Sequence, residues 1–174
     1  LAVLVTFHSR LQADLLEKLW WFSYMTSGSS IDIREVIFIG SASEDYRAMP
    51  DEVRQAADAR TQVLQNNGRL PAKQRAALSG KLSGIDEIRV LWDGDTYRAY
   101  LAVEHKAVIY ILDAGIKKSP HGSAIPQTQI DRLIERKKTA DKDYTANRAT
   151  YEADMAERMK RRKAWEETQR LKPK

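Results

Sequence analysis

Ile85-Asp-Glu-Ile-Arg-Val-Leu-Trp-Asp-Gly-Asp-Thr-Tyr-Arg-Ala-Tyr100 alternates apolar and polar residues on either side of Asp93-Gly94. Asp-Gly is a favoured two-residue loop of type I′, because both positions tolerate positive φ, and the segment therefore predicts a tight hairpin. With that turn, Trp92 pairs with Asp95, Val90 with Tyr97 and Arg89 with Arg98. Side chains alternate along a strand, so Ile88, Val90, Ala99 and Leu101 share one face while Glu87, Arg89, Arg98 and Tyr100 share the other. Two arginines directly opposed repel each other. A carboxylate or a bound anion must offset them, and Glu87, on the same face, supplies part of the charge. A pairing of Glu104 with Ala107 in the next hairpin sets Asp113 beside Arg98 and supplies more.

Working outward, three strands are expected at 85–92, 97–104 and 107–114. The last is almost wholly apolar, as a strand covered on both faces would be. Upstream, 34–39 reads as a strand, and Ser41-Ala-Ser-Glu44 as a capping box opening a short helix. Pro50 ends that helix and suits the first turn of the next, whose inward residues are Val53, Ala56, Ala57 and Leu64. Asn66-Asn67-Gly68 is its stop signal. The chain past Pro126 has no Gly or Pro until Pro173, and is read as helix with a polar bend at 139–147. Ser9 and Gln12 form a capping box for a helix marked by Leu11, Leu15, Leu19 and Phe22, followed by a Thr26-Ser-Gly-Ser-Ser30 linker. The expected organisation is an N-terminal helical extension over 1–30, a central α+β domain over 31–138 and a C-terminal helical extension over 139–174. Truncation after Lys138 is accordingly expected to keep the fold while weakening a partner contact.

Of 174 residues, 43% are hydrophobic and 30% charged, which suits a soluble, helix-rich globular protein. The absence of cysteine excludes disulfides and thiolate metal sites. It is also compatible with a reducing cytoplasm, the expected location. His8, His105 and His121 are scattered without metal-ligand spacing. No apolar run approaches the roughly 18 residues of a membrane span, so no membrane partner is expected. The start of the chain lacks the basic region of a secretory signal. A net charge of +5 and a pI near 9.4 are compatible with a polyanionic partner.

On pattern alone the arginine-bearing face has two readings: a solvated ion-pair network, or a site for RNA phosphate. Arginine suits the second, since its planar fork binds phosphate oxygens bidentately and keeps its charge. Lys117 and Lys118, just past the third strand, are expected near the same end of the sheet, and Lys81 close by.

At these residues the sequence resembles the RelE/ParE toxins, in particular their phage-derived, HigB-like branch. The resemblance lies in Phe38-Ile-Gly-Ser-Ala-Ser-Glu-Asp-Tyr-Arg47, Lys81-Leu-Ser-Gly84, Glu87-Ile-Arg89, Gly94-Asp-Thr-Tyr-Arg-Ala99 and Lys117-Lys-Ser119, with Gly122 and Pro126 in step. It implies a curved antiparallel sheet with the N-terminal helices on one face. It also implies a type II toxin that cleaves messenger RNA in the ribosome and is neutralised by a cognate antitoxin in a hetero-oligomeric complex. Carried over residue by residue, Arg98 contacts the scissile phosphate, Arg89 assists from the preceding strand, and Lys117 follows the last strand. Tyr97, Tyr100, Lys81 and Lys118 join them as RNA-binding candidates. The implied chemistry is attack of a ribose 2′-hydroxyl on its adjacent phosphate, requiring no metal or cofactor, with Glu87 as the candidate general base.

The sequence departs from the branch at Asp113-Ala-Gly115, where His-Ala-Phe is common. That departure removes a histidine acid, and His121 is expected to be a loop residue. Two other readings remain on the same fold: a ParE-like toxin that inhibits DNA gyrase without catalysis, and a non-catalytic binding module.

Overall fold

Asp93 and Gly94 adopt positive φ, 48° and 81°, and the hairpin closes around them. The computed structural model describes residues 32–117 and 125–171. Its strands are β1 (Glu35–Phe38), β2 (Arg75–Ala77), β3 (Asp86–Trp92), β4 (Asp95–Ala102) and β5 (Val108–Ile116). They form one mixed sheet in the order β1-β5-β4-β3-β2. The helices are α1 (Ala42–Arg47), α2 (Asp51–Gln65) and α3 (Gln127–Arg170). The expected α+β class is observed. β1 runs parallel to β5, with Glu35 opposite Val108, and every other pairing is antiparallel. The expected N-terminal helix and its linker lie outside the described residues, as do Lys118 and His121.

The β3–β4 register is the expected one, from Asp86 opposite Leu101 to Trp92 opposite Asp95. The β4–β5 register is not. Glu104 does not pair with Ala107; Ala102 faces Tyr110 and Leu101 faces Ile111, and after an irregularity Tyr100 faces Asp113 and Arg98 faces Gly115. Leu112 is the extra residue, a bulge that leaves two residues of β5 opposite one of β4. Asp113 therefore sits two residues from its expected place, opposite Tyr100 instead of Arg98.

Both faces of the sheet are covered. Ile88, Val90, Ala99, Leu101, Ile109 and Ile111 pack with α1 and α2 through Ala42, Tyr46, Val53, Ala57 and Leu64. On the other face Tyr100, Val108, Tyr110 and Leu112 pack with α3 through Leu133, Ala140, Tyr144 and Met155. β5 is buried from both sides, which is why its sequence is a nearly continuous apolar run. Each such fully buried aliphatic side chain contributes roughly 1.5–3 kcal/mol.

α1 begins at Ser41 without a side-chain capping bond, so the capping box is not formed. The Ser41 hydroxyl instead accepts a hydrogen bond from Arg136 Nη2 at 2.7 Å. The stop of α2 follows the sequence closely. Asn67 is left-handed at φ 59°, its N–H donates to the Leu64 carbonyl at 3.0 Å, and Gly68 N–H donates to the Val63 carbonyl at 2.8 Å. These two bonds make a Schellman motif. A Cβ on Gly68 would stand 2.6 Å from Val63 Cγ1 and 2.8 Å from the Val63 carbonyl oxygen. Gly68→Ala is therefore expected to cost about 1–3 kcal/mol, the usual penalty of overpacking, measured as a lowered urea midpoint.

α3 is continuous through 139–147, where a bend was expected. At 1.5 Å per residue it is about 66 Å long, and it lies along the sheet. Its buried residues fall at whole-turn spacings. Tyr110 donates to Asp143 at 2.6 Å and Tyr151 to the same carboxylate at 2.8 Å. Farther along, Arg158 pairs with Glu35 at 3.0 Å, and Arg162 hydrogen-bonds Asn66. Residues beyond Lys138 thus supply part of the core, and a chain cut there would lose Ala140, Tyr144 and Met155 from it. A chain cut after Lys138 is therefore expected to be destabilised, where the sequence alone suggests that it keeps its fold. Tyr110→Phe removes one hydroxyl and leaves Asp143 bonded to Tyr151, so a loss of about 1 kcal/mol is expected in thermal unfolding.

Candidate active site

Hairpin geometry alone brings Arg89 and Arg98 face to face, and Glu87 resolves the conflict. Its carboxylate is 1% exposed; Oε2 accepts from Arg98 Nη1 at 2.7 Å and Oε1 accepts from Arg89 Nε. One buried carboxylate thereby serves two guanidinium groups, leaving positive charge in excess. Arg98 is 13% exposed and Arg89 39%. The Nε of Arg98 is buried and has no hydrogen-bond partner among the described residues. A buried, unpaired donor of this kind is costly unless a ligand satisfies it.

Arg98 opens into a cleft of about 700 Å³. Tyr97, Tyr100 and Lys117 line it too, as do Asp45, Met49 and Pro50 from the α1–α2 junction and Thr128, Gln129 and Arg132 from the first turns of α3. Lys117 is placed by backbone: its N–H donates to the Thr96 carbonyl at 2.8 Å and carries the ladder one residue past β5. Burial pushes the Tyr100 hydroxyl up from its ordinary pKa, and the neighbouring Arg98 only partly reverses this. Tyr100 is therefore a neutral phenol at neutral pH, able to donate a hydrogen bond.

The structure brings four of the expected residues, Arg98, Lys117, Tyr97 and Tyr100, into one cleft. Glu87 and Arg89 stand directly behind and beside Arg98. Lys81 is not with them. It is exposed in a 3₁₀ turn (Gly80–Leu82) preceding β3, at the end of the hairpin where Asp86 faces Leu101, whereas the cleft is at the end where Tyr97 faces Ile116. Asp113, expected to balance Arg98, is buried and accepts instead from Gln129 and Arg132 at 2.8 Å and from Arg136 at 2.9 Å.

Asp45, Gln129, Arg132 and Arg136 are the contributors that sequence reasoning missed. A signal existed: Gln129, Arg132 and Arg136 recur on one helical face, and a buried aspartate in an apolar strand requires such partners. Away from the cleft, Glu104, His105 and Asp141 place three potential ligand atoms within 4.8 Å of one another. The Lys137 ammonium already pairs with both carboxylates there, which makes this an ion-pair cluster. No helix among the described residues is long and apolar enough to cross a membrane.

The domain is α+β, with an arginine-lined cleft opening at one end of its sheet. The family model of phage-derived Gp49-like proteins matches residues 44–138, and the chain belongs to that family. It is similar to an arginine-to-alanine mutant of the E. coli toxin RelE in the free state, with 21% identity over 47% of this chain and 81% of that one and a TM-score of 0.37. No protein of curated function matches.

Proposed function

We propose that this chain is the toxin of a type II toxin–antitoxin pair and acts as a ribosome-dependent mRNA endoribonuclease of the HigB-like kind. The observation that carries the reading is Arg98: an arginine held rigid by a buried carboxylate, with an unpaired buried donor, opening into a cleft shared with Lys117 and two tyrosines. The resemblance of its motifs to the HigB-like toxins and its membership of the phage-derived Gp49-like family support it.

In the proposed reaction the ribose 2′-oxygen forms a bond to the adjacent phosphorus while the bond to the 5′-oxygen breaks. The 2′-proton leaves to a base, and a proton reaches the departing 5′-oxygen. Arg98, assisted by Arg89 and Lys117, stabilises the charge that builds on the phosphorane oxygens. Preorganised cations contribute most at such a centre, because they need no reorientation as charge develops. Both Glu87 oxygens already hold guanidinium groups, so we assign Glu87 to positioning the arginines and give the proton to Asp45, the carboxylate lining the cleft. Tyr100 and Tyr97 contact the RNA. Neutralisation by a cognate antitoxin completes the scheme.

Primer extension on cellular mRNA after brief induction tests the proposal. Discrete cuts within translated frames are expected. Growth arrest without cuts would transfer the assignment to a non-nucleolytic toxin of the gyrase-inhibiting kind, and neither arrest nor cuts would leave a binding module.

A further inference from the structure

Asp113 repeats on β5 what Glu87 does on β3. It is fully buried, and two guanidinium groups share it: Arg136 Nη1 donates to Oδ1 at 2.9 Å and Arg132 Nη2 to Oδ2 at 2.8 Å. The two arginines are not equivalent. Arg136 is 12% exposed, and it also donates to the Leu112 carbonyl at 2.7 Å and to the Ser41 hydroxyl at 2.7 Å. It balances Asp113 and ties α3 to β5 and α1. Arg132 is 48% exposed, lines the cleft with Arg98 and Lys117, and commits only Nη2. Its Nε and Nη1 make no hydrogen bond to the described residues.

We propose that Arg132 is a second phosphate-binding arginine of the cleft, delivered by α3 and aimed by Asp113, that contacts the RNA directly. The inference rests on the RNA reading of the site. Arg136, which also stands 3.6 Å from Asp45, and Gln129 keep Asp113 partnered, so Arg132 can offer its remaining donors and its positive charge to the cleft. Its Nη2 keeps a second N–H beside the one given to Asp113, and together with a free Nε or Nη1 donor it completes a fork that fits two oxygens of one phosphodiester. Thr128, in the first turn of the same helix, also lines the cleft, where the helix dipole adds to the positive potential.

The test is the salt dependence of binding to a short single-stranded RNA with 2′-O-methyl sugars, which cannot be cut by 2′-hydroxyl attack. The full chain, Arg132→Gln, Arg132→Lys and Arg98→Gln are compared by fluorescence anisotropy, with thermal melting alongside. Each phosphate contact on a single strand contributes about 0.7 to the slope of log affinity against log salt. Arg132→Gln is expected to remain folded with a modestly lowered melting temperature, since Arg136 and Gln129 still hold Asp113, and to lower the slope by about that amount. Arg132→Lys, which keeps the charge, is expected to keep the slope while binding less tightly.

An unchanged slope in Arg132→Gln, beside a lowered slope in Arg98→Gln, overturns the role of Arg132 and leaves the RNA reading standing. Loss of folding in Arg132→Gln makes the residue structural and also overturns the proposal. Absence of salt-dependent binding in the unmodified chain overturns both.

Discussion

Arg98→Ala is expected to reduce mRNA cleavage by about two to three orders of magnitude, the usual consequence of removing one preorganised donor from a charged transition state. Induction of the variant should leave no primer-extension stops above background, and growth should continue. The substitution is informative because its structural cost is limited. Glu87 loses the bond from Arg98 Nη1 but keeps the one from Arg89, so the buried carboxylate remains paired. One charge-assisted hydrogen bond is lost, about 1.5–3 kcal/mol. Arg98→Lys keeps the charge but not the fork, and an intermediate activity is expected. Undiminished cuts from folded Arg98→Ala protein would sink the assignment.

Glu87→Gln is expected to have the largest effect on stability of any single change at the site, about 3–5 kcal/mol by urea unfolding. Removing one partner of a buried ion pair strands the other, and here two guanidinium groups are left facing each other across the β3–β4 pair. The sign of a second substitution identifies the cause. Arg89→Gln in the Glu87→Gln background relieves the repulsion, so part of the lost stability should return, whereas Arg89→Gln alone should destabilise. Independent effects would simply add. Cleavage by Glu87→Gln should also fall, because Arg98 loses the contact that orients it. A variant that cleaves normally at reduced stability would remove Glu87 from the positioning role.

The β3–β4 hairpin was fully legible because its signals are local: Asp93-Gly94 has one favoured loop geometry, and strict alternation then fixes register and face together. The same reasoning found Glu87 between the arginines. It failed one strand farther on, where the longer turn over 103–107 carries no such code and the Leu112 bulge shifts the pairing. Asp113 was consequently assigned to Arg98, while its real partners come from α3. β2 was missed, being three residues long with two alanines. The polar surface over 139–147 reads as a bend in sequence, but α3 is unbroken there because Ala140 and Tyr144 pack inward and polar neighbours cover the solvent side. Lys81 was grouped with the cleft by proximity in sequence to β3, yet it belongs to the opposite end of the strand.

The parallel pairing of β1 with β5 has a consequence for the newborn chain. β1 is made first but has no strand to join until β5, on the far side of the domain sequence, has followed it. The cleft is assembled from equally distant pieces: the α1–α2 junction, β4, the end of β5 and the opening turns of α3. Such long-range closure makes folding slow relative to a chain of local contacts. A nascent chain that has already exposed its arginine hairpin therefore still lacks the walls around it. The cleft comes into existence only after the opening turns of α3, which carry Thr128, Gln129 and Arg132, have emerged.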